Sequence, residues 1–100
     1  MTDDQINAVI AEVCGWTNVH PANRSGKAPG TDYTSNYEHI LNYCADLNAM
    51  HEAEKMLRNG RNYEYLHQLE RVALSHMAYA TAHQRAEAFL RTLGKWEEAK

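Results

Sequence analysis

The chain predicts a mainly α fold: a compact bundle of about four helices, with a long loop after the first and room for a short β element. Three observations predict it. Apolar residues recur at helical spacing in four separate stretches, three stretches open on capping-box spacings, and Pro and Gly cluster between the first stretch and the second. At 100 residues the chain reads as one domain, 1–100, able to bury roughly 65% of its unfolded surface in one modest core.

Thr2 opens the first helix, with Gln5 three residues on to complete the box and Asp3 and Asp4 at the positive end of the dipole. Ile6, Val9, Ile10, Val13 and Cys14 form its inner stripe. Gly15 stands where a left-handed stop is wanted, and Trp16 can fold back on the last turn. From Thr17 to Thr34 no period holds, and Pro21, Gly26, Pro29 and Gly30 mark a loop.

Beyond it two readings stay open. Ser35 and Glu38 have capping-box spacing, and Tyr37, Ile40, Leu41, Cys44 and Leu47 continue one long helix to Arg58. Alternatively the chain turns near Asn42, and Asp46 caps a shorter helix with Leu47, Met50, Ala53 and Leu57 inward. A third helix places Tyr63, Leu66, Leu69, Ala73 and Leu74 on one face, and 74–80 reads as an extended connector. Thr81 with Gln84 caps the last helix, whose inner residues Ala82, Ala86, Phe89, Leu93 and Trp96 step almost as a heptad and stop at Gly94.

Composition excludes several functions. A net charge of −3 with mixed signs argues against nucleic-acid binding. No apolar run approaches the roughly 18 residues that cross a bilayer, and the acidic start is no signal peptide, so a cytoplasmic protein without membrane contact is expected. Cys14 and Cys44 are expected as reduced, buried residues.

Chemical motifs fail one by one. His51-Glu52 lacks the second histidine of a zinc protease, since Lys55 stands there. None of the six histidines forms an i, i+4 pair, so no metal and no cofactor is expected; an ion held from distant positions with Cys14 or Cys44 is the arrangement left open. Ser75-His76 cannot face each other on a helix, and Cys44 with His39 or His51 reads as a seam residue rather than a nucleophile. Arg24-Ser25-Gly26-Lys27 lacks the earlier glycine of a phosphate loop and has Ala28 where magnesium needs a hydroxyl.

What is left favours binding over catalysis. Six tyrosines exceed what a small core needs, and Tyr33, Tyr37, Tyr63 and Tyr65 with Arg58 and Arg61 form the candidate partner-binding set. Arg24 and Lys27, within the loop 24–33, are candidate anion-binding residues for a small ligand or nucleotide. Phe89, Leu93 and Trp96 are candidate self-association residues for a homodimer.

Three segments, TDDQINAVIAEVCGW, DLNAMHEAEKML and ATAHQRAEAFLRTLGKW, together resemble the phage ABA-sandwich domain proteins, small accessory proteins of phages and prophages, mostly of unassigned function. The resemblance implies helices on both sides of a small sheet and a phage origin, and it brings no catalytic residues. The chain departs from the family where strands are usual, reading there as a Gly/Pro loop, and at Asn42, where many relatives have proline; this leaves a nearly all-helical version open beside one with a short β element. Together these readings point to a non-enzymatic, phage-encoded binder of a host protein, such as an inhibitor of an antiviral defence complex of the CRISPR type.

Overall fold

The structure is a computed structural model and describes residues 1–29, 37–57, 61–73 and 80–97. Among them are four α-helices, α1 (Asp3–Val13), α2 (Leu47–Glu54), α3 (Arg61–Ala73) and α4 (Ala82–Thr92), and three short strands, β1 (Thr17–His20), β2 (Ser25–Lys27) and β3 (Glu38–His39). The mainly α architecture with a small β element is as the sequence predicts.

Helix α1 begins as its residues dictate. The Thr2 hydroxyl accepts from the Gln5 N–H at 3.2 Å, and the Gln5 side chain accepts from the Thr2 N–H at 2.8 Å. This reciprocal pair satisfies two donors that a helix start otherwise leaves unmade. Gly15 sits at φ +101 after the last turn, and the Trp16 N–H reaches back to the Ala11 carbonyl at 3.0 Å. Helix α4 repeats both devices. Thr81 and Gln84 form its box, Gly94 lies at φ +70, and the Lys95 N–H bonds the Leu90 carbonyl at 2.8 Å.

The loop expected over 17–34 is corrected over 17–27, while its stretch 30–34 lies outside the described residues. The sheet runs β1-β2-β3, antiparallel at both contacts, with Thr17 opposite Lys27, Ser25 opposite both His20 and His39, and Gly26 opposite Glu38. A bulge separates the two β1 pairings. Pro21 starts a three-residue 3-10 turn, and Arg24 at φ +52 completes the reversal between β1 and β2. Gly26 is the residue that makes the pairing close: a Cβ there would lie 3.2 Å from Val19 Cγ2 and 3.3 Å from the Thr17 carbonyl oxygen.

Of the two readings for 36–58, the shorter helix forms. Asp46 Oδ1 accepts from the N–H groups of Asn48 and Ala49 at 2.9 and 3.4 Å, which fixes the start of α2. Glu38 lies in β3 rather than capping a helix, and Ser35 lies outside the described residues. One inner-face expectation of this helix fails. Leu47 is exposed, because it is the first residue of α2 and not part of a longer stripe; Met50, Ala53 and Leu57 are buried as predicted.

On α3 the face is rotated. Tyr65, Leu69 and Ala73 point inward, whereas Tyr63 and Leu66, expected in the core, are exposed. The core joins Ile6 and Ile10 of α1, Tyr43, Met50 of α2, Leu69 of α3, and Phe89 and Leu90 of α4. Helices α3 and α4 pack most extensively on each other. The connector at 74–79, with Leu74, Ser75, His76 and Tyr79, lies outside the described residues.

Candidate interaction surface

Helix α3 is polar on average but apolar on two sides, and that decides where each tyrosine goes. Side chains three and four apart share a helix face. Tyr65, Leu69, Val72 and Ala73 fill the inner face, so Tyr63 and Leu66, three apart, fall on the outer flank. Tyr63 is 85% exposed and Leu66 52%. Among the described residues, the other large apolar side chains on the surface are Tyr37, Leu41, Leu47 and Met56.

Tyr65 is corrected as a candidate for partner binding: it is buried and spent on the monomer. Its hydroxyl donates to Glu54 Oε2, to which Arg85 Nη1 also donates at 3.2 Å. The cluster ties α2, α3 and α4 together. Burial first, then the Glu54 carboxylate, push the Tyr65 phenol above its ordinary range. His51 Nδ1 lies 3.0 Å from Glu54 Oε1, an ion pair when the imidazole is protonated. Arg85 Nε finds no partner among the described residues. A hydroxyl, a carboxylate and a guanidinium meet here, but all three are packed between helices, and the cluster reads as structural.

Tyr37 stands half-exposed beside the sheet. Its ring centroid lies 5.4 Å from that of His20, and Lys27 Nζ lies 5.6 Å from the Tyr37 centroid. Arg24, the other expected anion ligand, is paired with Asp4 at 2.9 Å. Residues 25–27 form a strand rather than a cradle of free N–H groups, so the geometry gives the anion reading little support. Tyr33 and Arg58 lie outside the described residues, as does the side chain of Arg61, which opens α3.

The self-association set divides. Phe89 is fully buried in the core and cannot reach a second chain, which corrects that expectation. Leu93 and Trp96 are partly buried against the core. Trp96 borders an open groove of about 500 Å³ with Gln68, Arg71, Val72, Glu87, Arg91 and Gly94. Arg91 is already engaged there, 2.8 Å from Glu87 and with its guanidinium carbon 5.2 Å from the Trp96 ring centroid.

Both cysteines are free. Cys14 is partly buried, and burial pushes its thiol up. The Cys44 thiol donates to the Asp3 carbonyl at 3.8 Å, and burial, then Asp3 and Asp4, push it up to about 12. A thiol held in its protonated form is a poor nucleophile. His51, one of its imagined bases, is turned to Glu54.

Sequence reasoning missed Leu41, Leu47 and Met56 as surface residues. The signal was available for Leu47, since Asp46 capping places it in an exposed first turn. No helix among the described residues is long and apolar enough to cross a membrane. Compared with protein-family models, with curated proteins and with solved structures, the chain has no match.

Proposed function

We propose that this chain is a phage-encoded, non-enzymatic protein-binding module that acts in the host cytoplasm by docking on a component of an antiviral defence system, in the manner of an anti-CRISPR protein. The observation that carries the binding part is the outer flank of α3. Tyr63, at 85% exposure, and Leu66, at 52%, offer apolar surface that this fold does not use. A tyrosine of this kind supplies contact area and a hydrogen bond at low entropic cost, as interface anchors do. Phage origin rests on the resemblance of the three helical segments. The non-enzymatic part is supported by the polar cluster Tyr65–Glu54–Arg85, which among the described residues is engaged in packing helices.

The test is interference. A CRISPR-immune host expressing the chain is challenged with the targeted phage. Wild type is expected to restore plaques, and a Tyr63→Ala/Leu66→Ala double variant to lose the effect while melting as wild type does. Immunity unchanged by the wild-type chain counts against the reading. A homodimer is a separable part of it, resting on Trp96 at the groove and on the partly buried Leu93; light scattering that gives a monomer mass at working concentration removes it.

A further inference from the structure

Asp3, Cys44 and His83 are remote in sequence, and no spacing rule joins them. The fold brings them together from the first turn of α1, the turn before α2 and the first turn of α4. One donor atom from each, a carboxylate oxygen, Sγ and an imidazole nitrogen, lies within 4.8 Å of the other two. His83 Nε2 and Asp3 Oδ1 are 3.3 Å apart. Bonds of about 2.0–2.3 Å to a tetrahedral zinc ion place neighbouring donors roughly 3.3–3.8 Å apart, so this separation is already that of a tetrahedron edge.

We infer that Asp3, Cys44 and His83 form a zinc-binding site that clamps the starts of α1 and α4 to the turn before α2. The donor chemistry selects the ion. A thiolate and an imidazole favour zinc over magnesium or calcium, which take oxygen shells. Thiolate, carboxylate and neutral imidazole balance the two charges of the ion, which suits a half-buried place. On binding, Cys44 gives its proton to solvent and the S–H bond is replaced by S–Zn. Water, or a partner's side chain, takes the fourth position on the open side.

The anchor is preorganised. Cys44 is buried, and its N–H donates to Asn7 Oδ1 at 3.0 Å. Asn7 Nδ2 in turn donates to Asn42 Oδ1 at 3.1 Å, so α1 holds the turn that carries the thiol. Asp3 and His83, with side chains 70% and 46% exposed, have the freedom to close on it. Apart from the Cys44 thiol's contact with the Asp3 carbonyl and the pairing of Asp3 with His83, the described groups around the site leave the donors available. The terminal amine donates to the Glu97 carbonyl at 3.0 Å, and Asp4 is taken by Arg24.

Reduced chain without tags, stripped of metal by a chelator, is titrated with zinc against a chromogenic competitor, and with cobalt as a spectroscopic stand-in. One ion per chain is expected, with a thiolate-to-cobalt charge-transfer band and the intense visible bands of tetrahedral cobalt. Asp3→Asn and His83→Ala change exposed side chains and leave the fold intact. Each is expected to weaken zinc by more than about tenfold, since loss of even an outer-shell partner costs that much. Cys44→Ser is expected to lose the charge-transfer band, and Cys14→Ser to bind as wild type. No stoichiometric zinc on the wild-type chain, or binding untouched by Asp3→Asn and His83→Ala, overturns the assignment.

Discussion

Asn7 sits on the inner face of α1 between Ile6 and Ile10, where an apolar residue would be expected, and it is buried. It stays there because both ends of its amide are used, by the Cys44 N–H and by Asn42. Asn7→Ala strands the buried Cys44 N–H and is expected to cost about 1–3 kcal/mol in chemical denaturation. Phe89→Ala leaves a cavity at the centre of the core, and a loss of about 3–5 kcal/mol is expected. Tyr43 and Tyr65 are both raised from an ordinary 10.0, chiefly by burial, so the folded chain disfavours their ionised forms. Their contribution to stability is full below pH 10 and is lost as pH rises toward their folded values. The melting temperature is therefore expected to fall above pH about 10, and absorbance titration should show these two phenols ionising only as the fold opens.

At the scale of elements, the helix ends were legible because capping is local chemistry. Thr2, Thr81, Gly15 and Gly94 act over four or five residues, and the structure uses each where the sequence places it. Thr81→Ala is expected to cost about 1 kcal/mol in thermal melting, as loss of a cap does. A short β element was legible but the place of its strands was not, because they are two to four residues long, too short for alternation to register. Pro21 and Gly26, read as loop signals, serve the β1–β2 turn and the close approach of those strands. The face of α3 was misread for a different reason. Tyr63, Tyr65, Leu66 and Leu69 supply two overlapping apolar stripes, and only packing on α4 and the Glu54–Arg85 pair chooses the one with Tyr65 inward.

At the scale of the whole molecule, the choice that turns Tyr65 in turns Tyr63 and Leu66 out, and the proposed function depends on that. Sequence reading found Tyr63 as a binding candidate from tyrosine content, but it could not separate it from Tyr65, which differs by 200° around the helix axis at about 100° per residue. Of the inferred zinc donors, the sequence left Cys44 open as a ligand joined by distant residues, but its partners Asp3 and His83 were hidden, since the three meet only through tertiary contacts. Surface changes away from the core move stability by about 0.5 kcal/mol or less. Truncating Tyr63 and Leu66 is thus expected to leave folding unchanged. The most direct test of the account is the phage-immunity assay run side by side on wild type and the Tyr63→Ala/Leu66→Ala variant at matched expression. The account predicts that immunity is suppressed by wild type and restored by the variant; equal suppression by both chains, or none by either, would contradict it.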